Sequence, residues 1–175
     1  MSEHKKSGKQ PKIKFDDFLD RFIETEWPAL LTEETYEEFS RQQKPIPQLL
    51  LEAYVHPFEH IDEHTEFVPC IKWEVSNDVI AVIYWKAELM QYHYILATYH
   101  KGGYQLDRQI IAGSDYKGEK VVRRVATIVG DKSVHIIEGS EDLQKGNFDP
   151  RDTDRYALEI MENGEIVFSL MKETE

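Results

Sequence analysis

Apolar residues recur with two different periods along the chain, and the change of period divides it into two parts. In residues 15–27 they are spaced three and four positions apart, which predicts an amphipathic helix. From residue 66 onwards they form short runs or alternate with polar residues, which is typical of β-strands. We therefore expect an α+β fold, with helices first and a sheet after them.

The strand pattern is clearest at residues 79–85, an unbroken run of β-branched and aromatic residues that follows an Asn-Asp turn. Similar runs follow it, each closed by a short segment that contains glycine: residues 92–99, 106–112, 121–129 and 134–137. Most of these connections are too short for a crossover helix, so neighbouring strands should be antiparallel. The pattern therefore predicts a β-meander.

The sheet is expected to begin before this region and to curl. Residues 66–75 alternate and predict the first strand, in which Pro69 indicates an edge or a bulge. Several strands are apolar on both faces, and such strands need cover on each side, closure of the sheet or a dimer partner. We expect seven or eight antiparallel strands that form a curled sheet or a partly open barrel.

A hairpin is predicted at the end of the sheet, with strands at residues 155–161 and 165–171. Asn-Gly at 163–164 fits a two-residue type I′ turn, which would pair Glu162 with Glu165 at an exposed end. The polar segment 141–154 that precedes this hairpin is expected to be a loop.

About three helices are predicted before the sheet. The first covers residues 15–27, and its aromatic stripe should pack on the concave face of the sheet. Thr32 is the expected N-cap of the second helix. The third should begin at Pro47 and cover residues 48–55, where a strand is the alternative.

Charge divides the chain in the same way as the apolar pattern does. The net charge is −12, and we expect a flexible basic tail at residues 1–14 before a single α+β domain at residues 15–175. In that domain an acidic helical segment (15–64) precedes the antiparallel sheet (66–172). Residues 15–66 contain fourteen acidic and three basic side chains. Such a surface disfavours nucleic acid and anionic membranes, and it suits either a basic protein partner or a solvated helical face that keeps the protein soluble.

The location of the protein is expected to be cytoplasmic. The chain has a single cysteine, so it cannot form an internal disulfide. Its N-terminal residues lack the apolar stretch of a secretory signal. No apolar run approaches the length of about 18 residues that predicts a membrane span.

One segment has the composition of a weak metal site. His56, His60 and His64 recur at every fourth position, and a histidine pair with this spacing on a helix can bind zinc or another divalent metal. Pro57 interrupts the helical spacing, and a solvated helix or loop is the alternative.

No pattern of catalytic residues occurs in the sequence. Nucleophile-elbow, dinucleotide, Walker, CxxC and HExxH motifs are missing, and no base can be placed beside Cys70. The sequence therefore favours a protein that is not an enzyme, and we predict no catalytic residue and no cofactor.

Two functional hypotheses remain. The first is a non-enzymatic interaction module, of the inhibitor or immunity type, whose acidic helical surface meets a basic partner. The alternative is a small-molecule-binding domain or enzyme with an aromatic cavity in the curled sheet. The aromatic residues that would either line such a cavity or pack in the core are Trp73, Tyr84, Trp85, Tyr92, Tyr94 and Tyr99. The candidate ligand or partner residues are Glu33, Glu34, Glu37, Glu38, His93, Arg123 and Arg124.

Overall fold

The computed structural model describes residues 12–56, 59, 61–144 and 147–171, and for residues 147–152 it describes the backbone alone. Within these residues there are three helices, α1 Phe15–Leu19, α2 Glu33–Gln42 and α3 Gln48–Tyr54. None of these described helices is long and apolar enough to cross a bilayer. The strands are β1 Ile23–Glu24, β2 Ala29–Leu31, β3 Glu66–Glu74, β4 Val79–Glu88, β5 Gln91–His100, β6 Gln105–Lys117, β7 Lys120–Gly130, β8 Ser133–Asp142, β9 Asn147–Ile160 and β10 Ile166–Leu170.

The strands form one sheet in the order β1-β3-β4-β5-β6-β7-β8-β9-β10, with β2 paired beside β7. From β3 to β10 each strand is antiparallel to the next one along the chain, which confirms a meander in this part of the sheet, although the sheet has ten strands rather than the seven or eight predicted. The sheet as a whole is mixed, because β1 runs parallel to β3. Over the described residues β1 and β10 end the sheet without pairing with each other, so the sheet is open.

The first helix is much shorter than predicted. α1 ends at Leu19, although the apolar spacing of residues 15–27 predicted one continuous helix. Instead, Ile23 pairs with Ile71 at the edge of β3. Lys72 of that strand donates a hydrogen bond to the Leu19 carbonyl at 2.9 Å, which satisfies an acceptor at the helix end. The prediction was wrong because an open strand edge competes for the backbone of this segment.

β2 is the other element that was not predicted. It pairs with residues 126–128 of β7 in an antiparallel ladder. A strand of two or three residues is too short to show a periodic pattern, so β1 and β2 acquire their strand conformation from the neighbour with which they pair.

The second and third helices confirm the predictions. Thr32 is the N-cap of α2, and its hydroxyl accepts the Thr35 N–H at 3.3 Å. The Thr35 hydroxyl in turn accepts the Thr32 N–H at 2.9 Å, which completes a capping box. α3 begins directly after Pro47 and is a helix rather than a strand.

Several strands continue through segments that were predicted to be turns or loops. β6 passes through Gly113, Ser114 and Asp115, which were expected to end it. β8 and β9 extend into the polar segment 141–154, which was predicted to be a loop. Polar residues tolerate strand positions that face solvent, and the ladders of the neighbouring strands extend the pairing through them.

The final hairpin has a different turn from the one predicted. The Gly164 N–H donates to the Met161 carbonyl at 2.9 Å, and the Met161 N–H donates to the Glu165 carbonyl at 2.8 Å. Gly164 has a φ of +91°, so the loop has three residues and ends on a glycine at positive φ. Met161, and not Glu162, lies opposite Glu165, although both glutamates are exposed as expected.

The sheet curls around the first of two apolar cores. This core joins side chains of β3 to β6 to side chains of β7, β8 and β9, with Leu31 of β2 between them. The second half of the sheet therefore packs over the first half. Its members include Val68, Cys70, Trp73, Ile83, Trp85, Tyr94, Leu96, Ile111, Ala126, Ile128, Ile136 and Leu158.

The second core lies on the other face of β3, β4 and β5. Alternate residues of β4 enter it, so that Val82 and Tyr84 belong to this core while Ile83 belongs to the first. Phe18 of α1 and Leu51 of α3 cover it. The prediction that the first helix packs on the concave face is wrong, because the meander folds onto that face and buries it.

Cys70 lies in the first core. Both faces of β3 are buried, and the side chain of Cys70 is fully enclosed. Burial raises the pKa of this thiol well above its usual value. The register shifts between Pro69 and Ile71, which confirms the predicted irregularity at the proline.

β6 and β7 pair along only part of their length and then diverge. This divergence positions α2. Residues 113–117 of β6 pair with residues 120–124 of β7. Further along β7, β2 takes the place of β6 as its neighbour. Because α2 follows β2 directly, the N-terminus of α2 lies beside β5 and β6.

Candidate functional site

α2 is attached to the sheet through the residues at its start. The Tyr94 hydroxyl donates to the Thr32 carbonyl at 2.7 Å and lies 2.9 Å from the Thr35 hydroxyl. The ring of Tyr36 stacks on Trp85 with a centroid separation of 4.1 Å. None of the ten residues of α2, all of them described, is buried, so the helix lies on the surface and is fixed along one edge.

An open pocket lies between α2 and the neighbouring ends of β4, β5 and β6. Its volume is about 530 Å³, which is within the usual range for ligand sites. Aromatic rings provide most of its wall, and α2 contributes two carboxylates. We call this site the aromatic pocket, and its lining residues are Glu33, Tyr36, Glu37, Trp85, Met90, Tyr92 and Tyr116.

The rings of the aromatic pocket differ in orientation. Trp85 has Tyr36 parallel to it, and the ring of Tyr94 meets it at 73°. The Tyr92 ring is 6.3 Å from Trp85 and stands at 88° to Tyr116, whose ring centroid is 6.2 Å from that of Tyr92. Walls in two perpendicular directions enclose an occupant better than a flat stack does.

One buried donor of the aromatic pocket lacks an acceptor. Trp85 is 2% exposed, and its indole Nε1 has no hydrogen-bond partner among the described residues. Buried polar groups are nearly always paired in folded proteins. The unpaired indole N–H is therefore an unusual feature of this site.

The two carboxylates of the aromatic pocket are positioned differently. Glu33 accepts a hydrogen bond of 2.5 Å from the hydroxyl of Ser114, which is buried in β6. Glu37 contacts Arg41 at 3.4 Å, but both side chains are more than two-thirds exposed, and exposed pairs of this kind are weak. Glu33 is thus fixed by the sheet, whereas Glu37 is available to solvent.

Arg123 lies directly opposite Ser114 in the β6–β7 ladder. It contacts Glu141 at 3.5 Å. The pKa of Arg123 is raised above its usual value: burial, the largest influence, lowers it, but Tyr116, Glu33 and Glu141 together outweigh burial. Arg123 lines two neighbouring depressions rather than the aromatic pocket itself.

Arg124 and His93 belong to a separate polar group. His93 lies opposite Gly113, and its Nε2 is 2.8 Å from a carboxylate oxygen of Asp115. Arg124 donates through Nε to Glu138 at 2.6 Å and has Asp115 3.9 Å away. His93 and Ser114 point to opposite faces of the sheet. Ser114 pairs with Tyr92 and shares its face, and His93, the next residue of β5, points to the other face.

The structure thus divides the predicted ligand or partner residues into groups. Glu33 and Glu37 line the aromatic pocket, and Glu34 lines the adjacent depression with both arginines. Glu38 is exposed on α2. His93 lies outside both sites, in its pair with Asp115. The acidic residues are close together because they share one helix, which the sequence already indicated.

The predicted metal site remains a prediction. His56 and His64 are both exposed, and His64 contacts Glu63 at 3.3 Å. His60 lies outside the described residues. Among the residues that are described, no group of three or more potential ligands is arranged to hold a metal ion.

A buried group of charged residues was not predicted. Glu59 is 5% exposed, accepts a hydrogen bond of 3.0 Å from the Tyr84 hydroxyl and one of 2.8 Å from Lys86, and also pairs with Arg108. Lys86 is buried as well, and it contacts Glu88 at 2.8 Å. These contacts neutralise the charges that burial would otherwise make costly, so the group connects the segment after α3 to β4 and β6.

Of the aromatic residues expected at a cavity, two line the aromatic pocket: Trp85 and Tyr92. Trp73, Tyr84, Tyr94 and Tyr99 are core residues instead. Tyr36, Met90 and Tyr116 were missed. Tyr116 could have been found by continuing the alternation of β6 beyond Gly113, whereas the contribution of Tyr36 depends on where α2 docks.

Comparisons with known proteins leave the site to be interpreted from its geometry. No family model, curated protein or solved structure matches the chain.

Proposed function

We propose that the protein is a non-enzymatic interaction module that binds a basic protein partner through the acidic face of α2. The observation that supports this most directly is the exposure of all four glutamates of the helix, which together carry more charge than its single arginine: Glu33, Glu34, Glu37 and Glu38. Charged surfaces of this kind accelerate association with partners of the opposite charge and exclude partners of the same charge.

The contacts beneath α2 suit a binding surface. Its fixed edge is provided by Tyr36, stacked on Trp85, and by the capped start of the helix at Thr32. The glutamates are therefore presented from a helix whose position is set by the sheet. A rigid charged surface loses less conformational entropy on binding than a mobile one does.

The polar groups near α2 support a role other than catalysis. Ser114 is bonded to Glu33, and His93 is bonded to Asp115 on the opposite face of the sheet. The strand geometry thus separates Ser114 from His93, so the two residues do not form the serine–histidine arrangement of a hydrolase.

The proposal is tested by reversing charge on α2 outside the aromatic pocket. The variant Glu34→Lys with Glu38→Lys is compared with Glu159→Lys with Glu165→Lys, which changes the net charge equally at exposed positions of the β9–β10 hairpin. Immobilised protein is incubated with lysate from the native source, and retained proteins are identified by mass spectrometry.

We expect the wild type and the β9–β10 variant to retain the same basic proteins and the α2 variant to lose them. Circular dichroism confirms that both variants are folded. If the α2 variant retains the same proteins as the wild type, the acidic face of α2 is not the binding surface and the proposal is rejected.

The aromatic pocket favours a second candidate, a small-molecule-binding domain. Its volume and ring content are those of a ligand site. A low-molecular-weight ligand would raise the melting temperature of the wild type, and substitution of Tyr92 by leucine should abolish that rise. Thermal denaturation against a library of small organic cations distinguishes this candidate from a protein-only surface.

A further inference from the structure

We infer that the aromatic pocket receives a single positively charged side chain, a lysine or an arginine, from the basic partner. This inference rests on the proposed function and specifies which part of the partner enters the protein. Its basis is the combination of rings and carboxylates in one open cavity beside α2.

The rings supply the first attraction. A cation is attracted to the face of an aromatic ring within about 6 Å of its centre. Tyr92 and Tyr116 stand at 88° to each other, and Tyr36 adds a ring from the side of α2. A cation among these rings can contact more than one of them, as it cannot on a flat surface.

The carboxylates supply the second attraction and set the sign of the charge. Glu33 and Glu37 are four residues apart on α2, so they lie on the same side of the helix. Both line the aromatic pocket, and the described residues that line it include no cation. Arg123 is the arginine beside Tyr116 and Glu33, but it is directed to Glu141 and the neighbouring depressions. An anionic occupant would meet two carboxylates.

The unpaired indole supplies an observation that is independent of charge. The Trp85 Nε1 group is buried without an acceptor among the described residues. A peptide occupant carries carbonyl oxygens, which are acceptors of the kind that this donor lacks. The volume of about 530 Å³ exceeds what one side chain fills, which leaves room for the adjoining backbone.

Synthetic peptides test the inference on the full chain. The peptide acetyl-Gly-Ser-Lys-Ser-Gly-amide is titrated into the protein and compared with the same peptide carrying norleucine, which has similar length and no charge. An arginine version completes the series. Chemical shifts of backbone amides locate the binding site, and tryptophan fluorescence follows saturation.

We expect the lysine or arginine peptide to shift the amides around Tyr92 and Tyr116 and to bind about tenfold more tightly than the norleucine peptide. Tyr92→Leu should weaken binding of the charged peptide by about tenfold. Tyr104→Leu is the matched control, because Tyr104 is also exposed but stacks on His100 away from the pocket. The affinity of the Tyr104→Leu variant for the charged peptide should equal that of the wild type.

Three results would overturn the inference: equal affinity for norleucine, shifts confined to other surfaces, or binding that is unaffected by Tyr92→Leu. Choline, a free organic cation, is titrated in the same way to test whether a small molecule is the preferred occupant. If choline binds more tightly than the charged peptides, the occupant is a small molecule rather than a partner side chain.

The variant Tyr92→Leu, tested in the lysate experiment, distinguishes failure of the inference from failure of the proposed function. If basic proteins are lost on charge reversal at Glu34 and Glu38 but retained by Tyr92→Leu, the acidic surface stands and the inference about the pocket fails. If neither change affects their retention, both proposals fail together.

Discussion

At the scale of single residues, Gly113 allows two strands to approach closely beside the aromatic pocket. Its φ is +124°, and a Cβ placed on it would be 1.9 Å from the carbonyl oxygen of Tyr92. Such a contact cannot exist, so a side chain would have to separate β5 from β6. Tyr92 lines the pocket and pairs with Ser114, and therefore the separation would also disturb the site.

We predict that Gly113→Ala lowers the free energy of unfolding by about 3 kcal/mol, from backbone strain and lost pairing. Urea denaturation followed by circular dichroism measures it. Gly130→Ala is the control, since its φ is outside the positive range and nothing described lies within 4 Å of the added Cβ. Equal effects of the two substitutions would show that the close approach of the strands is unimportant.

At the scale of elements, α2 depends on its cap more than on burial. None of its described residues is buried, and its apolar contacts with the first core come from two partly buried side chains, Tyr36 and Phe39. The capping box between Thr32 and Thr35 satisfies donors at its start. The Thr32 carbonyl also accepts a hydrogen bond from the Tyr94 hydroxyl, which joins the cap to the first core.

We predict that Thr32→Ala lowers the free energy of unfolding by about 1 kcal/mol, because it removes the side-chain cap and leaves the backbone acceptor of Tyr94 in place. Ser40→Ala is the control at the other end of α2, where the hydroxyl donates to the Glu37 carbonyl at 3.0 Å and is exposed. That change should be neutral or slightly stabilising. A loss at Ser40 as large as that at Thr32 would contradict the role of the cap.

At the scale of the whole molecule, the two cores contain several tyrosines that burial keeps neutral. The pKa of Tyr84, Tyr94 and Tyr99 is raised in each case, and burial is the main cause. Below pH 10 these hydroxyls are protonated in the folded and unfolded states alike, so they add no pH dependence. Above it they ionise in the unfolded chain first, and the folded state then binds more protons. Stability must therefore fall as the pH rises.

We predict that these three tyrosines together lower the free energy of unfolding by about 3 kcal/mol between pH 10 and pH 11, because each is half ionised in the unfolded chain at pH 10 and almost fully ionised at pH 11. Urea denaturation between pH 9.5 and 11 measures the free energy of unfolding, and absorbance at 295 nm follows tyrosine ionisation. Tyr99→Phe should reduce the slope by about a third. Tyr104→Phe, at a side chain that is 57% exposed, should leave it unchanged. If all nine tyrosines ionise near pH 10 in a folded protein, the prediction is wrong.

The sequence by itself determined the class of the fold, the antiparallel meander that forms most of the sheet and the N-cap of α2 at Thr32. Each of these depends on information that is local in the chain: periodicity, turn residues and capping side chains. It also identified the acidic helix, since charge on one element is visible without a fold. Trp85 and Tyr92 were among the aromatic residues expected at a cavity, because aromatic side chains in a strand are also visible without a fold.

Tertiary structure alone decided where the meander folds and what it covers. Ile23 and Leu31 became strand residues because strand edges were available to them, and β6 continued through Gly113 because β5 and β7 paired with it. The aromatic pocket exists because β2 pairs with β7 and so sets Tyr36 of α2 against Trp85. Such contacts join residues far apart in the chain, and their free energy depends on packing that no local pattern encodes.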